Sequence, residues 1–451
     1  MKYNLVALSA AMLLAGCAAD DVAGDSSGGA AVGQAIVLGV NDVVSPVTRS
    51  QHTGTMNMVR LATYGFGVYG YEGSAAYNSS TTEYNLFTPN TPVTFIDGGT
   101  TPTAIVDHPG SWTYGDQLKE WDADKQYTFF AYAPYMSAGD GTEGTNAGIN
   151  TIPTGSVTGD PSITYTVAEN PAESVDLLWG VRTDTKEKSG LPWVDVKQGQ
   201  TASAVMFTFY HALCGLGLHA QVMVDQENDL DNLGDLSKLG KIGDANGCKV
   251  TLERITITPI GLPNANPAVA ATLFYKSGKL NLNNTTAHQP LWDVEHSGTI
   301  SSLVLEGTKL NTALKDPTPT NASDYSVMTN ASVPGITESA NSQAIIADDN
   351  MFMLIPQKAQ DYEVTIKYFI TNKTGASTYH RELKTGTVTI HNLELAAGVK
   401  YYLNLVFGLT TFKLHVLATD WEEKTVNTTV VIENGTSASS SLAKQSTSVF
   451  E

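Results

Sequence analysis

The stretch that decides the fold is QAIVLGVNDVVSPVTR, residues Gln34 to Arg49. Its apolar side chains recur at every second position, which predicts one strand with an apolar face. The set expected to face inward is Ile36, Leu38 and Val40, and the opposite set is Ala35, Val37 and Gly39. Two pairs of turn residues, Asn41-Asp42 and Ser45-Pro46, are expected to end the strand.

Arg49 is a lone basic residue in the loop expected after this strand, and hydroxyl residues flank it on both sides. One interpretation is an ordinary first strand followed by a surface loop. The other is that an Arg-specific protease cuts between Arg49 and Ser50, releases segment 18–49 and opens a groove in a β-sandwich. Arg60 is the alternative site, but it runs directly into the next predicted strand, where the backbone is less accessible.

The N-terminal segment, residues 1–17, is typical of a bacterial lipoprotein signal. Lys2 supplies the positive charge and Leu5 to Leu14 the apolar run, which is shorter than the roughly 20 residues of a membrane-spanning helix. Leu14-Ala15-Gly16-Cys17 then forms a lipobox, so Cys17 is predicted to carry the lipid that holds the protein in the membrane. The alternative is an ordinary secretory signal with a chance cysteine.

The charge of the chain argues against nucleic acid as a partner. The 451 residues include 26 Lys and Arg against 45 Asp and Glu, a net charge of −19. Phosphate binding needs clustered basic residues, whereas an acidic balance favours solubility outside the cell. Beyond Cys17, the cysteines are Cys214 and Cys248, which form either one disulfide or two buried thiols.

Most of the remaining chain consists of short apolar stretches separated by turn residues, which predicts an all-β protein. The clearest strands of the first half are Tyr64–Tyr71, Val93–Ile96, Tyr127–Ala133, Ile163–Val167 and Leu177–Val181. A polar stretch then precedes the next predicted strand, Val205–His211, so we place a domain boundary near Gln200. The two halves, residues 50–200 and 201–421, each have the size of a β-sandwich domain.

The last thirty residues, 422–451, are not needed to complete the second half. Val426 to Ile432 is a strand candidate with Val426, Val430 and Ile432 on one face and Val431 on the other, and a Ser- and Gly-rich segment follows it. One interpretation is a donor strand for a neighbouring chain, since an exposed strand edge is a ready partner for another strand. The other is a strand that closes the second domain of its own chain.

The sequence contains no motif for nucleotide, metal or cofactor chemistry, and we predict neither catalysis nor a cofactor. His211 is interpreted as a packed, hydrogen-bonded strand residue. Four tryptophans have two interpretations, a sugar-binding platform or core residues. They are Trp112, Trp121, Trp179 and Trp193.

Several motifs together resemble the fimbrillin family (Mfa-like, type V pilins) of Bacteroidetes, and the resemblance covers nearly the whole chain up to Trp421. The most specific one is WTYGDQLKEWDADKQYTFFAYAPY, Trp112 to Tyr135. The others are the lipobox, Thr48-Arg49, Phe66-Gly67-Val68-Tyr69, FTFYHAL (Phe207–Leu213), Gly398–Phe407 and Asp420-Trp421.

The resemblance implies two tandem transthyretin-like β-sandwiches of Greek-key topology. It also implies export as a surface-exposed outer-membrane lipoprotein, processing by an Arg-specific protease, and strand exchange with other pilin subunits in extracellular fimbriae. We therefore predict a structural fimbrial subunit that is cut after Arg49 and whose tail, 422–451, donates a strand. The alternative function is a pilus tip adhesin or a monomeric surface lipoprotein that binds glycans through exposed aromatic residues.

Overall fold

The structure, a computed structural model, describes most of the chain between residues 34 and 433. The described ranges are 34–43, 55–80, 86–87, 89–96, 111–137, 147–151, 159–200, 204–222, 249–261, 273–294, 299–311, 325–328, 343–346, 350–373, 379–407, 412–420 and 425–433.

Strands dominate these ranges, so the chain is an all-β protein. In chain order the strands are β1 (Leu38–Val43), β2 (Phe66–Gly73), β3 (Thr91–Ile96), β4 (Ser111–Thr113), β5 (Gln126–Ala133), β6 (Gly148–Thr151), β7 (Ser162–Thr166), β8 (Leu178–Val181), β9 (Trp193–Val196), β10 (Val205–His211), β11 (Cys214–Val222), β12 (Lys249–Gly261), β13 (Phe274–Tyr275), β14 (Ser277–Asn281), β15 (Leu291–Asp293), β16 (Thr299–Ile300), β17 (Leu303–Glu306), β18 (Tyr325–Met328), β19 (Gln343–Ala344), β20 (Phe352–Leu354), β21 (Gln357–Lys373), β22 (Tyr379–Leu395), β23 (Val399–Phe407), β24 (Phe412–Asp420) and β25 (Thr425–Glu433). The helical elements within the described ranges are one α-helix, α1 (Met58–Tyr64), and the short 3₁₀ turns Pro171–Glu173 and Gly307–Lys309.

The first sheet has the strand order β1-β10-β8-β5-β2-β3-β4, with β9 paired to β5. Its first pair, β1 with β10, is parallel, whereas β10 with β8, β8 with β5 and β5 with β2 are antiparallel. The last strand, β4, lies against β1, so the sheet curls back towards its own first strand. This curling encloses an apolar cluster on one face of the sheet.

The second half of the chain builds two further sheets. One has the order β19-β11-β23-β24-β25, with β20 paired to β11, and the other has the order β17-β12-β21-β22-β18. A four-stranded sheet, β15-β14-β7-β6, joins strands from before and after residue 200. The finer assignment, two tandem transthyretin-like Greek-key sandwiches, stays a prediction.

The first sheet is buried on both faces, because alternate residues of its central strands enter two different apolar clusters. In β5, Phe129 lies in the cluster that the sheet encloses, and Phe130 lies in a larger cluster shared with the second and third sheets. Val68 and Tyr69 of β2 divide in the same way. Such double burial explains why these strands are apolar or aromatic at nearly every position rather than at alternate ones.

The strand Val205–His211 forms with the bounds that the sequence predicted, but its place in the fold differs. We expected it to open the second domain, 201–421, whereas its neighbours on either side are β1 and β8 of the first sheet. The polar stretch before it is therefore a connection between strands of one sheet, not a division between sheets. A polar composition indicates that a segment is exposed to solvent. Exposed connections occur within domains as well as between them.

The helix α1 was not predicted from the sequence. The side chain of Asn57 caps its N-terminus by accepting a hydrogen bond from the Arg60 N–H at 3.0 Å. Gly65 ends the helix with φ of 69°, and a Cβ atom at this position would lie 2.5 Å from the Val93 carbonyl oxygen. Only glycine meets both conditions, so the turn from α1 into β2 depends on it.

Candidate functional site: the first strand

The first strand is embedded in the enclosed cluster through one of its faces. Ile36, Leu38, Val40 and Val43 have 0%, 2%, 6% and 3% of their surface exposed, whereas 38% of Val37 is exposed. The alternation of Ile36, Leu38 and Val40 is the one that the sequence predicted.

The predicted end of the strand at Asn41-Asp42 was wrong. Strand β1 continues to Val43 with a shift in its pairing, because Val40 lies opposite Phe207 and Asp42 opposite Thr208. Asn41 is thus an extra residue, as in a β-bulge. The bulge leaves Asn41 and Asp42 exposed and turns Val43 into the core. Two polar residues in succession therefore do not end this strand.

A second segment, residues 114–121, borders residues 34–36, just before β1, on the side opposite β10. The Ile36 N–H donates to the Lys119 carbonyl at 2.7 Å, and the Trp121 N–H donates to the Gln34 carbonyl at 2.8 Å. The Tyr114 hydroxyl donates to the Ile36 carbonyl at 2.8 Å and accepts from the Lys119 N–H at 2.9 Å. The first strand thus lies in a slot with hydrogen-bonding backbone on both sides.

Aromatic rings line the floor of this slot. The ring of Phe66 packs edge-on against Phe207 at 5.8 Å and against Phe209 at 5.3 Å between centroids. Gly180 of β8 lies beneath both phenylalanines of β10, and a Cβ atom there would be 3.1 Å from each ring. These rings belong to the same cluster as Ile36 and Leu38, so the first strand covers them.

The connection between β1 and the rest of the protein lies outside the described residues. It consists of residues 44–54, which include the predicted cleavage site Arg49-Ser50, and the chain is described again from Thr55. The predicted lipidation site, Cys17, also lies outside the described residues.

The C-terminal strand pairs within its own chain. Strand β25 runs antiparallel to β24 and is the outermost strand of its sheet, as the interpretation of a closing strand predicts. Its register places Val426 opposite Ala418, Val430 opposite Val416, Val431 opposite His415 and Ile432 opposite Leu414. The pairing shifts between Val416 and Ala418, and residues 434–451 lie outside the described ranges.

The other candidate residues are structural. Trp121, Trp179 and Trp193 are buried, and Trp112 packs partly buried against Phe66 at 5.3 Å between centroids, which confirms the interpretation as core residues. No group of three or more His, Cys, Asp or Glu in the described ranges is placed to hold a metal ion. In the same ranges no helix is long and apolar enough to span a bilayer.

Cys214 is a buried free thiol, and Cys248 lies outside the described residues. The thiol is 3.4 Å from the Leu354 carbonyl oxygen. Burial raises the pKa of the Cys214 thiol to about 12, which keeps it protonated and unreactive.

His211 is a buried strand residue, as predicted, but the sequence did not reveal its partner. Its Nδ1 lies 2.7 Å from Oδ2 of Asp176, and both side chains are fully buried. Segment 114–121 was not predicted as the second side of the slot. The signal was present, because this segment lies within the Trp112–Tyr135 motif that carries the most specific resemblance.

Comparison with known proteins places the fold among fimbrial proteins. The structure is similar to the crystal structure of a fimbrial protein from Bacteroides vulgatus, with a TM-score of 0.52 and 21% identity over 86% of this chain and 99% of that chain. In sequence, the chain is 28% identical over 184 residues to the fimbrium subunit Fim1C of Phocaeicola vulgatus. This match covers 39% of the chain and 41% of the relative, less than half of the relative's length. No protein-family model matches. The chain is therefore similar to fimbrial proteins in fold and, over part of its length, in sequence, in agreement with the motifs.

Proposed function

We propose that this protein is a structural subunit of a surface fimbria. Two comparisons support this role: a fold similar to that of a fimbrial protein and sequence similarity to a fimbrium subunit. Neither relative is named as an enzyme, which accords with a protein that works by assembly rather than by catalysis. Its location is then the cell surface.

Maturation begins with export as an outer-membrane lipoprotein anchored through Cys17. An Arg-specific protease then cuts between Arg49 and Ser50. The observation that carries this step is the setting of β1, which is joined to its neighbours in the sheet by hydrogen bonds and side-chain packing, with no short turn to either of them. Once the connection 44–54 is cut, only these noncovalent contacts hold it.

Loss of β1 removes a large part of the apolar packing that stabilises the enclosed cluster. Each fully buried aliphatic side chain contributes roughly 1.5–3 kcal/mol, so Leu38, Val40 and Val43 of β1, together with Ile36 just before it, contribute about 6–12 kcal/mol. A whole domain is stable by about 5–15 kcal/mol. The opened slot would also leave the edge of β10 unpaired over Val205 to Phe209. A processed subunit therefore needs a replacement strand, which another subunit supplies.

The replacement is the C-terminal tail of a neighbouring subunit, from Thr425 to Glu451. Val426, Val430, Val431 and Ile432 give it the β-branched character of a strand. As the outermost strand of its own sheet, β25 has one hydrogen-bonded neighbour, β24, to leave before it can pair elsewhere. In the next subunit it would run parallel to β10, as β1 does.

Processing is tested by comparing Arg49→Ala with Arg60→Ala in cells. Arg60 is buried in α1, so its loss should leave the cut unchanged, although it lowers stability. Arg49→Ala should give surface-exported precursor without filaments. Filaments that form normally from Arg49→Ala subunits would reject the proposed cut.

Strand exchange is tested with cysteines at Met206 of β10, opposite Gly39 of the first strand, and at Val430 or Val431 of the tail. Adjacent tail positions point to opposite faces of a strand, so one of the two pairs should crosslink subunits within filaments. A chain truncated after Trp421 should fold but not polymerise. Filaments from the truncated chain would rule out the donor role.

The second candidate function, a glycan-binding adhesin, was predicted to rest on exposed aromatic residues. Three of the four tryptophans proposed as a platform are buried.

The mass of chains in sheared filaments tests the position of the subunit in the filament. Chains that begin at Ser50 favour the stalk, and lipidated full-length chains favour an anchor at the base or a monomeric binder.

A further inference from the structure

The first residues of the mature chain that the structure describes are tied down by a buried carboxylate. The Met56 N–H donates a hydrogen bond to Oδ2 of Asp176 at 2.8 Å. His211 Nδ1 lies 2.7 Å from the same oxygen, and the carboxylate and the imidazole are both fully buried. One oxygen atom therefore joins three parts of the chain: the segment before α1, the segment before β8 and the end of β10.

The same segment contains the other arginine near the proposed cut. Thr55, Met56, Asn57 and Arg60 are all buried. The Arg60 side chain turns back onto its own segment, where its Nη1 donates to the Thr55 carbonyl at 2.8 Å. A protease needs an extended backbone and an outward-pointing side chain, so Arg60 is protected as long as this segment stays in place.

Removal of the first strand weakens the surroundings of this segment. Met56 and Leu61 share the enclosed cluster with Ile36 and Leu38. Loss of β1 thus removes part of the packing that holds α1, and local opening would expose Arg60 to the protease that has just cut nearby. The hydrogen bonds of Asp176 do not involve β1, so they persist after β1 has left.

We propose that Asp176, supported by His211, is a positioning residue that limits processing to Arg49 by holding the start of the mature chain in place. This inference rests on the proposed cut after Arg49. The subunit then loses its first strand without losing α1. A cut after Arg60 would separate the cap residue Asn57 and the first turn of α1 from the mature subunit.

The test uses the full chain, purified in detergent and treated with an Arg-specific protease, with the N-termini of the products sequenced over time. The variant is Asp176→Ala. Its matched control is Asp361→Ala, because Asp361 is also a buried carboxylate that accepts from one backbone N–H, that of Asn392 at 2.8 Å, and lies 2.8 Å from one imidazole, that of His391.

The expected result is a change in the site of cleavage. Wild type and Asp361→Ala should give products that begin at Ser50. Asp176→Ala should give at least about tenfold more product that begins at Leu61, because losing the hydrogen bonds raises the population of the open segment. Asp176→Asn keeps a carbonyl oxygen that can accept from both donors, so it should behave like wild type.

Two outcomes would overturn the inference. In one, Asp176→Ala leaves Arg60 as protected as it is in Asp361→Ala. In the other, both variants expose Arg60 equally, which would indicate a general loss of stability. An Arg49→Ala background separates this inference from the proposed function. If Leu61 products rise there with Asp176→Ala, while chains that keep Arg49 never yield products that begin at Ser50, the proposed cut after Arg49 fails but the protection of Arg60 by Asp176 stands.

Discussion

Leu38→Ala is the substitution that most directly tests how the first strand is held. The side chain is 2% exposed and lies within the enclosed cluster, with Val205 opposite it on β10. Truncating a buried leucine to alanine costs about 2–5 kcal/mol, because apolar contacts are lost and a cavity is left. The control is Val37→Ala on the exposed face of the same segment, where a change within about 0.5 kcal/mol is expected.

The same substitution has a larger visible effect once the chain has been cut after Arg49. The first strand is then a separate peptide, and the lost free energy appears in its dissociation constant. Since 1.4 kcal/mol corresponds to a factor of ten, Leu38→Ala should weaken retention by about 30- to 4,000-fold. Most of this change should appear as faster release, as is usual for variants of one interface.

Two measurements check this prediction. Urea unfolding of the uncut precursor gives the change in the free energy of unfolding, and a fluorescent label on the N-terminal fragment gives its release rate after cleavage. Equal release rates for Leu38→Ala and Val37→Ala would refute the view that side-chain burial holds the strand. Hydrogen bonds to β10 and to residues 114–121 would then have to account for its retention.

Three further predictions concern single residues. Tyr114→Phe removes a hydroxyl bonded to the Ile36 carbonyl and the Lys119 N–H, so it should cost about 1 kcal/mol and speed release of the first strand roughly fivefold. The control, Tyr165→Phe, removes a hydroxyl in the larger cluster, which does not include the first strand, so it should leave the release rate unchanged. Cys214 should resist alkylation at pH 8 until the protein unfolds, because burial raises its thiol pKa to about 12. Rapid labelling of Cys214 in the native protein would contradict this. Cys17→Ala should abolish incorporation of labelled palmitate, and labelling that persists would reject lipidation at this position.

The sequence was informative wherever burial follows a simple period. Alternation in the first strand identified Ile36, Leu38 and Val40 as inward-facing, and Val205–His211 was predicted with its observed bounds. Such patterns report which residues avoid water. They do not report which strand lies alongside, so the place of β10 in the first sheet could not be predicted.

Contacts between distant parts of the chain could not be predicted from the sequence for the same reason. Nothing near His211 indicates that its partner is Asp176, or that this carboxylate also accepts from Met56. The Tyr114 hydroxyl likewise bonds to Ile36, just before β1, only because the first sheet curls back on itself. A buried polar side chain can be expected to form hydrogen bonds, but the identity of its partners depends on the tertiary fold.

The parallel pairing of β1 with β10 links the way the subunit folds to the way we propose it assembles. A parallel pair needs a long crossover connection, and here most of the first sheet lies between the two strands in sequence. Strand β1 therefore cannot join the sheet through a local hairpin, and its contacts form only after distant parts of the chain have come together. The other strands of the sheet do not need β1 in order to pair, since β10 is already paired to β8 on its other side. A strand of another chain can use the same route, because the slot presents β10 and residues 114–121 to any strand of matching apolar pattern, whichever chain supplies it.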